Sequence, residues 1–192
     1  MNRLDLVVGP NGAGKSTFVE FTLAPLLPGS AFVNADEIAK HRWPDDPAAH
    51  AYEAARVAAA TRARLIELRR SFVAETVFSH PSKLELIDAA HMADYTVVLH
   101  VLLIPEELAV QRVRHRVNAG GHDVPENKIR DRYRRLWALV ATAIPCCDSA
   151  TVYDNSTLKG PRIVAQMSSG HLICAPIWPA WTPQALSSRW SR

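Results

Sequence analysis

Apolar positions in this chain fall into short runs that alternate with stretches of helical spacing. The first run, "LDLVV", reads as a short buried strand, and "STFVEFTLAPL" after it predicts a helix over about residues 15–23. "PGSAFVNADEIAK" reads as a turn, a short strand and an acidic helix start. A proline-rich turn then leads into an alanine-rich helix over roughly residues 48–70. "SFVAETVFSHP" predicts a third strand with a polar end, "SKLELIDAAHMADY" a helix, and "TVVLHVLLI" a long buried strand. Pro105 sits where a first helical turn tolerates proline, ahead of the helical "EELAVQRVRHRVNAG". "GGHDVP" is a loop, "ENKIRDRYRRLWALVATAI" a helix, and "SATVYDNS" a strand ending at Asp154 and Asn155. Asp5 interrupts the first strand and is expected at an edge or at the strand's entry.

Strands that alternate with helices in this way predict a parallel sheet with helices on both faces, an α/β three-layer sandwich. Ligands in such sheets bind at the carboxyl ends of the strands. The polar residues at those ends are therefore the ones to weigh: residues 9–16, Asp36, Glu75, Thr76 and Asp154.

The strand end at Gly9 carries the sharpest signal. "GPNGAGKST" fits G-x-x-x-x-G-K-[ST], with Gly9, Pro10, Asn11, Gly12, Ala13, Gly14, Lys15, Ser16 and Thr17 in order. In such a loop backbone N–H groups cradle phosphate oxygens, the lysine reaches the β- and γ-phosphates, and the hydroxyl at Ser16 ligates Mg²⁺. A helix starting there aims its positive end at the same anion. The strand before it and the helix after it supply the required context, so ATP with Mg²⁺ is the expected ligand pair.

Composition narrows the picture. The 192 residues suit one domain, with a lid at about residues 105–140 and a C-terminal extension at about 160–192 that adds a strand or hairpin and a short helix. A net charge of +3 falls short of a nucleic-acid-binding extreme. The longest apolar run is too short to cross a bilayer, and the first residues lack a secretory signal pattern, so a cytoplasmic location without membrane contact is expected. The three cysteines, Cys146 and Cys147 adjacent, match no metal spacing and read as core thiols near a helix end.

Three further groups bear on chemistry. Asp36 follows the second strand and faces the phosphate loop. Alone it would read as a helix N-cap; beside this loop it reads as the base for an acceptor hydroxyl. Glu75 breaks an apolar strand, and an unpartnered buried charge is costly, so it belongs at the polar end, bound to a ligand, a metal-bound water or an arginine. Thr76 and Ser79 line the same pocket on this reading. Arg112 and Arg116, four residues apart, share a helix face before Gly120-Gly121 and His122, and Arg130, Arg132, Arg134 and Arg135 follow. Such helices about a glycine break predict an arginine-rich lid that stabilises a transferring phosphoryl group, with most of these arginines at the surface.

The ordered elements "GPNGAGKST", "NADEI", "FVAETVFS", "RVNAGGHDVPENKIRDRYRRL" and "VYDNS" together resemble the zeta toxin family of small P-loop kinases, over about residues 4–155. The resemblance implies a P-loop kinase fold and phosphoryl transfer from ATP to the sugar 3′-hydroxyl of UDP-N-acetylglucosamine. It implies Asp36 as base, Glu75 as a contact to the nucleotide-sugar and Arg112 as a lid arginine. The second lid arginine of longer members falls near His122, where this chain departs; Arg116 or Arg130 is the replacement expected, and His122 a substrate contact. An antitoxin partner is also implied. An ABC-type or repair ATPase is the alternative, but the "LSGGQ" helix and the acidic strand end after it are missing. A non-catalytic nucleotide-binding module is the third reading, opposed by the intact Lys15, Ser16 and Asp36.

Overall fold

The computed structural model describes residues 2–118 and 124–191. Seven strands form one sheet in the order β2-β3-β1-β4-β5-β6-β7. They are β1 (Asn2–Val8), β2 (Ala31–Val33), β3 (Phe72–Thr76), β4 (Tyr95–Leu103), β5 (Ser149–Asp154), β6 (Arg162–Ser168) and β7 (His171–Leu172). The pairs among β2, β3, β1, β4 and β5 are all parallel, and β6 and β7 are added antiparallel at the far edge. The tail thus makes the hairpin and short helix expected of it, α7 being Gln184–Ser187.

The central strands are covered on both faces, which explains their unbroken apolar runs. Leu4, Leu6, Val7 and Val8 of β1 and Leu99, Val101, Leu102 and Leu103 of β4 are fully buried. The helices are α1 (Lys15–Phe18), running on into a wide turn over Val19–Leu23, α2 (Ala35–Arg42), α3 (Ala51–Glu67), α4 (Ser82–Met92), α5 (Glu106–Asn118) and α6 (Glu126–Cys146). α6 lays Ile129, Tyr133, Leu136, Val140 and Ile144 on the core at helical spacing. α5 adds Ala109, Val110 and Val113 to that core, so much of the range expected as a lid is anchored in the body. The glycine break and His122 lie outside the described residues. No helix among them is long and apolar enough to cross a membrane.

Two expectations change. Asp5 is neither at an edge nor exposed: β1 lies between β3 and β4, and Asp5 is 2% exposed. It is tolerated because Arg3 clasps it through two bonds of 2.7 Å, and His100 on the neighbouring strand reaches it at 2.9 Å. A buried charge so paired avoids the isolated desolvation cost. Of the thiols, only Cys147 is buried; Cys146 and Cys174 are exposed. α6 ends between the first two, and Cys147 turns inward as the chain enters β5.

Candidate active site

The loop over residues 9–14 joins β1 to α1 in a conformation that the sequence makes inexpensive. Gly12 and Gly14 both hold φ near +80°, where a side chain would be strained. A Cβ on Gly12 would lie 2.9 Å from the Ala109 carbonyl, and one on Gly14 would lie 2.8 Å from the Asn155 amide nitrogen. The loop is therefore pressed against α5 on one side and the end of β5 on the other. Asn155 donates to the Ala13 carbonyl at 2.8 Å, and Arg112 donates to the carbonyls of Asn155 at 3.0 Å and Gly12 at 3.4 Å.

Lys15 opens α1 and is 7% exposed. Its ammonium donates to the Pro10 carbonyl at 3.0 Å and lies 3.9 Å from Glu75. Burial pushes its pKa below the ordinary lysine value, the charges of Glu75 and Asp36 oppose that, and Arg116 and Arg132 add to it. These four groups therefore share the electrostatic environment of the lysine.

Glu75 is the hub. The register pairs Val7 with Glu75 and Val8 with Thr76, so the polar end of β3 stands directly beside the start of the loop. Glu75 accepts from the Ser16 hydroxyl at 2.8 Å and from the Asn34 amide at 2.7 Å. Asn34 also caps α2, its other side-chain atom accepting from the backbone N–H groups of Asp36 at 2.7 Å and Glu37 at 3.4 Å. Asp36 is thus relieved of capping. Among the described residues its carboxylate takes part in no hydrogen bond or ion pair, and it lines a cleft of about 570 Å³.

The same cleft is lined by Asn11, Lys15, Ser16, Thr17, Glu75, Thr76, Ser79, Arg112 and Arg116, all of them singled out from the sequence. Arg130 does not reach it. It is bound to Glu106, Glu107 and Glu126 on the outer side of α5 and α6, because those carboxylates surround it one helical turn away and across the helix pair. Arg132, two residues on, faces the cleft instead. A two-residue step turns a helical side chain by roughly 200°, enough to separate a surface arginine from a cleft arginine.

Asn34 and Phe78 are among the residues that escaped the sequence reading. Asn34 was not singled out; its signal was an N-cap residue immediately before "ADEI". Phe78 is fully buried and holds φ at 62°, rare for a bulky residue. With the Phe78 N–H donating to Thr76 Oγ1 at 3.3 Å, it bends the exit of β3 so that Ser79 and His80 line the cleft. Apolar patterning cannot reveal a positive φ.

Known proteins share this fold. A family model described as an AAA domain matches residues 4–139. Among solved structures, the fold is similar to that of the AvrRxo1-ORF1:AvrRxo1-ORF2 complex with sulphate ions, at TM-score 0.72 and 15% identity. The match covers 90% of this chain and 60% of that one. The AvrRxo1 complex determined with ATP gives TM-score 0.69 and 14% identity over the same shares. The chain thus spans about three fifths of the length of these neighbours. The PezAT chromosomal toxin–antitoxin system of Streptococcus pneumoniae is matched at TM-score 0.66 and 12% identity, over 98% of this chain and 84% of that one. No curated protein sequence matches.

Proposed function

We propose that this chain, which belongs to the AAA domain family and has the fold of zeta-toxin-like P-loop kinases, moves the γ-phosphoryl group of ATP to a hydroxyl of a small molecule. The acceptor class proposed is a nucleotide-sugar such as UDP-N-acetylglucosamine. The observation that carries this reading is the convergence on Glu75: Lys15, Ser16 and Asn34 meet one carboxylate at the mouth of the phosphate loop, with Asp36, unpaired among the described residues, beside them. A plain anion-binding turn has no use for two carboxylates there.

The loop backbone and Lys15 hold the triphosphate. Ser16 and Glu75 put two hard oxygen donors within 2.8 Å of each other, a set that fits Mg²⁺. Ser16 would hold the ion and Glu75 would reach it through water, and the bound ion supplies charge neutralisation at the phosphates. Among the described residues no cluster of three or more His, Cys, Asp or Glu forms a metal site of its own. That suits an ion carried largely by phosphates and water.

Asp36 accepts the proton of the acceptor hydroxyl. The freed oxygen attacks the γ-phosphorus in line, and the bond to the β–γ bridging oxygen breaks, releasing ADP. Lys15, Arg116 and Arg132 neutralise the charge that develops on the transferred group. Arg112 has a different task, since its guanidinium ties the phosphate loop to the end of β5. Thr76, Ser79 and His122 belong to the acceptor side on this reading.

A protein antitoxin is the partner that this reading implies; the PezAT neighbour is described as part of a toxin–antitoxin system. The cytoplasm is the compartment proposed. The test is incubation with γ-labelled ATP and a panel of nucleotide-sugars, with UDP-N-acetylglucosamine first, followed by separation of products. Label in a phosphorylated sugar nucleotide is the expected result. Label recovered only as inorganic phosphate across the panel would replace the kinase by an ATPase.

A further inference from the structure

One wall of the cleft carries charge that the phosphate chemistry leaves unused. α3 presents Ala51, Ala55 and Ala58 to the cleft, small side chains that leave room, and Arg62 follows one turn beyond Ala58. Arg62 is 8% exposed. Among the described residues no hydrogen bond or ion pair engages its guanidinium. Lys83, on the first turn of α4, lines the same wall and also has no acidic partner among the described residues.

Both side chains are held against their own preference. Burial pushes the pKa of Arg62 below its ordinary value. Burial does the same to Lys83, and the neighbouring charge of Arg62 pushes it further. Buried cations are normally paired, because desolvation is otherwise uncompensated. In this wall a buried arginine and a half-buried lysine stand within reach of each other's field and line an open cleft. The pair is carried by α3 and α4, whereas the phosphate loop joins β1 to α1.

We propose that Arg62 and Lys83 form an anion-binding pair that grips a phosphate group of the acceptor, so that the acceptor is a phosphorylated small molecule held at two points. The inference rests on the kinase reading for the word acceptor. Arginine offers a planar fork that matches phosphate oxygens two at a time, and lysine adds a point charge. Gripping the acceptor by its phosphate would fix which hydroxyl lies before Asp36, so the pair sets specificity without touching the reacting atoms.

Calorimetry with pyrophosphate tests this. The phosphate loop is first saturated with the magnesium complex of AMP-PNP. Wild type should then bind pyrophosphate at one further site. Arg62→Gln and Lys83→Gln should each bind it at least about tenfold more weakly, the worth of one charged hydrogen bond, with AMP-PNP affinity unchanged. Without anion, Arg62→Gln should melt no lower than wild type, because it removes a buried cation with no partner among the described residues; an arginine serving only the fold would show a drop. Pyrophosphate should raise the melting temperature of wild type and not of Arg62→Gln. A wild type with no second site, or variants that bind pyrophosphate as wild type does, would overturn the assignment. The same titration in a Lys15→Ala background separates the two readings: pyrophosphate binding that persists there and is lost on adding Arg62→Gln supports the pair whether or not ATP is the donor.

Discussion

Asn34 donates a 2.7 Å hydrogen bond to Glu75 while its other side-chain atom caps α2. One amide therefore fixes both the carboxylate beside Ser16 and the start of the helix that bears Asp36. Asn34→Ala should cost about 1 kcal/mol from the lost cap. Asn34→Asp keeps a good cap but sets a second carboxylate against Glu75. It should lower turnover at least as much as Asn34→Ala while losing less stability, read by urea unfolding beside phosphoryl transfer. An aspartate variant with wild-type turnover would reduce Asn34 to a cap.

Asp36→Asn preserves size and polarity and leaves the loop intact. Transfer to the acceptor should fall by roughly 10²–10⁴-fold, the usual worth of a positioned base, with MgATP still bound. Raising Mg²⁺ should not restore it. Rescue by Mg²⁺ would instead make Asp36 a metal contact, and unchanged activity would remove it from the chemistry.

The arginines should separate in kinetics. Arg132→Ala should reduce turnover far more than nucleotide affinity, because its contact develops with the transferring charge. Arg112→Ala should weaken nucleotide binding and turnover together, since it braces the Gly12 and Asn155 carbonyls. Calorimetry alongside initial rates reads both. The opposite pattern in the two variants would exchange the roles of Arg112 and Arg132.

Acid should expose the buried pair in β1 and β4. Burial alone would raise the Asp5 pKa, but hydrogen bonds from His100 and Arg3 more than offset it and hold the carboxyl below its ordinary value. A depressed folded pKa contributes stability above the unfolded value, and that contribution disappears as pH falls through the folded one. Asp5→Asn should thus cost about 3–5 kcal/mol near neutrality, as for one partner of a buried pair. The gap from wild type should narrow only below about pH 4, where free aspartate titrates. Urea unfolding across the acid range up to neutrality measures it, and a gap that closes already at about pH 6, where histidine titrates, would assign the dependence to another group.

Burial, then the charges of Cys146 and Asp148, push the Cys147 thiol up to about 12. Iodoacetamide at about pH 8, near the ordinary thiol value, should therefore modify the exposed Cys146 and Cys174 and leave Cys147 intact, as read by peptide mass. Labelling of Cys147 in the native protein would show that the end of α6 opens.

The order of elements was legible because each strand and helix has its own apolar period, and the loop because glycine, lysine and hydroxyl stand at fixed spacing. Glu75 was legible because a charge inside an apolar strand needs a partner. Asp5 was not, since the same argument gives no direction: only the register of β1 against β4 brings His100 to it. Arg130 and Arg132 could not be told apart, because their difference is a rotation about α6 fixed by where Glu106, Glu107 and Glu126 lie. Arg62 went unnoticed among the alanines of α3, since its isolation is a property of what surrounds it in space.

β2 is three residues long and occupies one margin of the sheet, whereas the phosphate loop hangs from β1, enclosed between β3 and β4. The helices that follow β2, α2 and α3, bear Asp36 and Arg62. On the kinase reading, donor handling is therefore welded to the part of the molecule least free to vary, and acceptor choice is mounted on its margin. Substitutions along the cleft face of α3 can redraw what is accepted while the triphosphate grip keeps its shape, so a change of acceptor demands no change of fold.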